Sequence, residues 1–115
     1  MPVVFVIASD WTLRTAVRAQ LRELGVQALG MESADQVGQT MGAGEMPSAV
    51  VLEATAALAS HPAIRKLLER VPTVLIASRT EHLDLPPIAQ LCYRPVRIEE
   101  IVSRVRELLQ QPHGG

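Results

Sequence analysis

Short apolar runs alternate with amphipathic stretches along the chain. Val3–Ala8 is an unbroken run of mostly β-branched residues, the pattern of a strand covered on both faces. Ser9 or Asp10 then caps a helix running to about Leu24. Its apolar positions Leu13, Ala16, Val17, Leu21 and Leu24 recur at three- and four-residue steps, and Gly25 supplies a stop. Val26–Leu29 reads as a brief second strand. Ser33 and Gln36 form a capping-box pattern for a helix with Ala34, Val37 and Met41 on one face, ended by Gly42 or Gly44. Ala49–Leu52 is the third strand, with Glu53 at its carboxyl end.

A loop follows, then a helix from about Pro62, because proline suits a first helical turn; Ile64, Leu67, Leu68 and Val71 are its buried stripe. Val74–Ala77 is the fourth strand. Between Arg79 and Gln90 the pair Pro86–Pro87 precludes a long regular helix. Leu91–Tyr93 is a fifth strand, and Ile98–Leu109 a final helix with Ile101, Val102, Val105, Leu108 and Leu109 inward. This alternation calls for a doubly wound α/β domain, a parallel sheet with helices on both faces. Residues 1–110 are expected to form the domain and 111–115 a flexible tail.

In such sheets the ligand crevice lies beyond the carboxyl ends of the strands. The residues expected there are Ala8 and Ser9 after the first strand, with Asp10 just outside, Glu53 after the third, Ala77 and Ser78 after the fourth, and Arg94 after the fifth. Composition narrows what they can do. A chain of 115 residues suits one domain, and a formal charge of −1 gives no long-range field for nucleic acid or anionic membrane. No stretch approaches the roughly 18 apolar residues of a membrane span, and nothing basic precedes Val3–Ile7 as in a signal peptide, so a cytoplasmic location is expected. Cys92 is the single cysteine, so no internal disulfide is possible. The crevice has neither a glycine-rich phosphate loop nor a metal-ligand cluster.

The crevice residues also carry a family resemblance. Val4–Gly25, reading VFVIASDWTLRTAVRAQLRELG, is similar to the first strand and helix of the receiver domains of two-component response regulators. Glu53 follows PSAVVL, which resembles that family's third strand, and stands where its phosphate-accepting aspartate belongs. Tyr93–Arg94–Pro95 resembles its Lys-Pro step, and Ser9 and Glu53 are 44 positions apart, the family's usual spacing. The resemblance covers nearly the whole chain. It implies a flavodoxin-like five-stranded sheet of order 2-1-3-4-5, about five helices with one short, a cis bond at Pro95, and a partner that is another signalling protein, a kinase or an effector domain. It also leaves room for a homodimer.

The same resemblance implies a degenerate site. The family's acidic, Mg²⁺-binding pair falls on Ala8 and Ser9, its hydroxyl after strand four on Ala77 with Ser78 beside it, its lysine on Arg94 and its switching aromatic on Leu91. Mg²⁺ asks for oxygen ligands including at least one carboxylate. Glu53 is longer than aspartate by roughly one bond of 1.5 Å, which spoils in-line geometry. The expectation is a receiver-like interaction module in bacterial signalling that works without phosphorylation, is not an enzyme and needs no cofactor or metal. The alternatives are an active receiver phosphorylated at Glu53 or a neighbour with Asp10 shifted inward as metal ligand, and a small-molecule binder or enzyme using the same crevice.

Individual residues read two ways. Glu53 with Arg94 is either a permanent mimic of a phosphorylated site or a structural ion pair. Arg14, Arg18 and Arg22 make an i, i+4, i+8 stripe on the expected exposed side of the first helix, either a partner surface or a solvated face. His61 with Ser9 or Ser78 resembles a hydrolase trio only by proximity, since no nucleophile elbow accompanies it. Trp11 is expected to cover the end of the first helix, and Cys92 to fill the core.

Overall fold

The computed structural model describes residues 1–78 and 89–110. The elements run β1 (Val3–Ile7), α1 (Trp11–Glu23), β2 (Gln27–Met31), α2 (Ala34–Gly42), β3 (Ala49–Glu53), α3 (Ala56–Ala59), α4 (Pro62–Arg70), β4 (Thr73–Ala77), β5 (Ala89–Tyr93) and α5 (Ile98–Gln110). The strands form one parallel sheet of order β2-β1-β3-β4-β5. That is the expected doubly wound architecture.

Every residue of β3 and β4 is buried, as their continuous apolar runs require of strands covered on both faces. Val4, Val6, Val51 and Val74 face a core closed by α1 and α5, while Phe5, Ile7, Val50, Leu52 and Leu75 face one closed by α2, α3 and α4. The side-chain alternation of β3 therefore puts Glu53 on the same face as Val51, towards α1 and α5.

The helices start and stop where their chemistry directs. Asp10 caps α1 by accepting from the Leu13 amide at 3.2 Å, and Gly25 leaves the helix at a φ of 80° that a side chain would strain. Ser33 caps α2 through the Gln36 amide at 3.3 Å, and the Gln36 side chain reaches back to the Glu32 amide at 2.6 Å, one residue earlier than a standard capping box. His61 caps α4, its Nδ1 accepting from Ala63 N at 3.2 Å.

Several expectations shift. β2 begins after Val26, β3 includes Glu53, and β5 extends back to Ala89. The short helix α3 occupies the connection expected to be a loop. On α1, Ala16 is only half-buried and Leu24 is exposed, because the buried stripe narrows to Leu13, Val17 and Leu21. The expectations for Pro86–Pro87 and for the tail at 111–115 lie outside the described residues.

Candidate functional site

The carboxyl ends of β1, β3 and β5 converge on Glu53. Its residue is 7% exposed and its carboxylate is fully engaged. Oε1 accepts from the Ser9 hydroxyl at 2.6 Å, from the Ser9 amide at 3.0 Å and from the Asp10 amide at 3.4 Å. Oε2 accepts from Arg94 Nη2 at 2.6 Å. The Arg94 amide is pinned to the Ala77 carbonyl at 2.9 Å, at the end of the intervening strand, which sets the residue beside Glu53; its peptide bond to Pro95 is cis, as the resemblance implies. Glu53 is set by its own strand, opposite Ile76, and by the turn in which Thr55 N bonds back to its carbonyl at 2.9 Å.

Of the crevice residues expected from sequence, Glu53, Ser9, Asp10 and Arg94 come together. Ala8 and Ala77 line the strand ends as buried methyls, and Ser78 is half-buried just past β4. Asp10 contributes its backbone, while its carboxylate caps α1 through Oδ1.

This donor set does not fit a divalent metal. Where a cation would need carboxylates, the β1–α1 corner offers a methyl, a hydroxyl that donates and two amide N–H groups, with a guanidinium opposite. The Ala8 carbonyl at the same corner accepts from Arg14 Nη1 at 2.7 Å. Among the described residues no three His, Cys, Asp or Glu side chains cluster to hold a metal ion.

The α1 arginines depart from the expected exposed stripe. Arg14 and Arg18 are half-buried and Arg22 is exposed. Arg18 Nε donates to the Ala28 carbonyl at 3.2 Å, and both Arg14 and Arg18 lie over Gly30 of β2, where a Cβ would come within 2.7 Å of Arg18 Cδ and 3.2 Å of Arg14 Cδ. Burial, then the neighbouring charges of Arg22 and Arg14, pull the Arg18 guanidinium below its ordinary range. Sequence spacing placed these residues on one helix face, but the glycine that lets them fold down onto β2 was the missed signal.

Trp11 is 68% exposed, so it does not cover the end of α1 as expected. Cys92 is buried, and burial pushes its thiol up, as for an inert core cysteine. His61 spends Nδ1 on its cap, and the Ser9 hydroxyl goes to Glu53, so these two do not pair as nucleophile and base. Beside the site, an open cleft of about 440 Å³ lies between the start of α2 and the β3–α4 connection, lined by Ser9, Ser33, Asp35, Leu58 and His61 among others. No described helix is long and apolar enough to cross a membrane.

No family model matches the chain, and no curated protein matches it in sequence. Solved structures do match in shape. A response regulator receiver domain protein from Bacillus halodurans superposes with a TM-score of 0.75 at 11% identity, over 97% of this chain and 99% of that one. A response regulator from Thermotoga maritima gives 0.72 at 16% identity, over 96% and 99% of the two chains. A response regulator receiver protein from Burkholderia phymatum gives 0.70 at 19%, over 97% and 98%. At these identities the likeness is one of fold, and it agrees with the strand order: this chain has the receiver-domain fold of response regulators.

Proposed function

We propose that the chain is a degenerate receiver, a bacterial cytoplasmic protein-interaction module that works without a phosphorylation cycle, with Glu53 as a permanent stand-in for a modified acceptor. One observation carries this reading. The Glu53 carboxylate already makes the bridge between the β1–α1 corner and the residue after β5, through Ser9 and Arg94. The Ser9 hydroxyl and the Glu53 carboxylate are already engaged with each other and with Arg94, and the donors around that carboxylate would repel the metal that an incoming dianionic phosphoryl group needs for neutralisation. The partner is another signalling protein, a kinase or effector domain, and the module is not an enzyme. Of the α1 arginines, Arg22 is the one exposed enough to meet a partner directly.

The test is incubation of the domain with Mg²⁺ and a small acyl phosphate, followed by intact mass. An unchanged mass is expected. A stoichiometric gain of a phosphoryl group would overturn the reading in favour of an active receiver. The stand-in role is tested separately: Glu53→Gln should abolish partner binding in a still-folded protein, and unchanged binding would reduce Glu53–Arg94 to a structural ion pair.

A further inference from the structure

We propose that the β1–α1 corner is an oxyanion-binding site, opposite in sign to a metal site, which the domain keeps filled with the carboxylate of its own Glu53. The geometry is that of a bound ligand. One carboxylate oxygen takes two N–H groups and a hydroxyl from consecutive residues at the start of α1, at 3.0, 3.4 and 2.6 Å, and the other takes a guanidinium N–H at 2.6 Å. Amide N–H groups entering a helix, a hydroxyl and an arginine are the donors that recognise carboxylate or phosphate oxygens.

Two neighbouring acceptors have donors of their own. The Asp10 carboxylate faces the Leu13 amide, and the Ala8 carbonyl is occupied by Arg14. The bound carboxylate is 9% exposed at the side chain, whereas Arg94 is 43% exposed, so the anion is the enclosed partner and the arginine closes over it from solvent. A tethered carboxylate outcompetes free anions through its high effective concentration, so the native chain keeps the site closed to them. The ligand class is a small oxyanion, carboxylate or phosphate.

The inference uses the residues of the proposed function but needs no partner, so the two fail separately. The experiment uses Glu53→Ala, which removes the tethered anion and leaves every donor in place. In oxyanion-free chloride buffer, sodium formate or inorganic phosphate is titrated against sodium chloride at matched ionic strength. Binding is read by calorimetry and by thermal midpoint, with circular dichroism confirming the fold.

Saturable binding of either anion to the variant and neither to the native chain is the expected result. Adding Arg94→Ala or Ser9→Ala to the variant should weaken it at least roughly tenfold. No saturable effect beyond chloride in a folded variant overturns the proposal. So does equal binding by the native chain, or binding indifferent to both added substitutions. Should Glu53→Ala fail to fold, Glu53→Ser offers a small polar replacement that still vacates most of the site, and the same outcomes apply. Anion binding by the variant alongside a phosphoryl gain in the native chain would sink the phosphorylation-independent reading and leave this one standing.

Discussion

Two regions of this domain use arginine against the same sheet and to different ends. Over β3, Arg94 meets a carboxylate; over β2, Arg14 and Arg18 meet backbone carbonyls. The difference lies in which acceptor the fold leaves open. Within β2, Gln27 donates its amide to Pro2 and the Met31 carbonyl accepts from Ala8, so the odd positions turn to β1. Ala28 and Gly30 therefore present their polar groups to the open edge of the sheet, and Arg18 satisfies the Ala28 carbonyl there. An unpaired strand edge invites pairing with another chain, and a cation laid across it blunts that hazard. At the crevice the sheet has ended, and the acceptor is a charged side chain, which bonds more strongly than a neutral carbonyl.

The sharpest way to break the comparison is to reverse the charge at its centre. Glu53→Lys would place an ammonium among N–H donors and beside Arg94, at a side-chain position that is only 9% exposed. A loss of about 3–5 kcal/mol is expected, the range for an uncompensated buried charge. Urea denaturation reads it as a lowered midpoint at unchanged slope, or as loss of the cooperative transition. A loss below about 1 kcal/mol would mean that the carboxylate does not organise the crevice.

Arg94→Ala is the milder cut. It strips one charged hydrogen bond from Glu53, yet the carboxylate keeps its bonds to Ser9 and Asp10. Because Arg94 is 43% exposed and water can replace it in part, the expected cost falls to about 1–3 kcal/mol, below the penalty for a fully buried pair. If the variant loses as much as Glu53→Lys, the crevice is drier than its exposure implies.

How much of this was legible beforehand follows from the physics of each region. The sheet order and the helix faces were readable because buried strands and amphipathic helices write their period into the sequence: Ile64, Leu67, Leu68 and Val71 are all buried as expected. Glu53 with Arg94 was readable because strand ends in a parallel sheet must converge. What sequence concealed was the third member of that contact. Ser9 stood out as a missing carboxylate, and that its hydroxyl and amide would turn to bind a carboxylate follows only from the loop geometry. The β2 flank was misjudged for a similar reason. An arginine's long stem can lie down or stand up, and the deciding feature was Gly30, a residue distant in sequence with nothing to announce it.

That flank supplies the smaller effects. Arg18→Ala removes a single bond of 3.2 Å to a carbonyl that water can then reach, so the expected loss of stability is about 0.5–1.5 kcal/mol. Its more telling consequence concerns the edge: the variant should self-associate at lower concentration than the native chain, as light scattering or sedimentation would show. Arg22→Ala is the matched control, the same residue type one turn further along α1 but exposed, and its stability should stay within about 0.5 kcal/mol of native with no change in association. Equal association in both variants would mean that α1's net charge, rather than a guanidinium laid over the Ala28 carbonyl, keeps the molecules apart. The contrast between an arginine holding an anion and an arginine covering an edge would then survive only at the crevice.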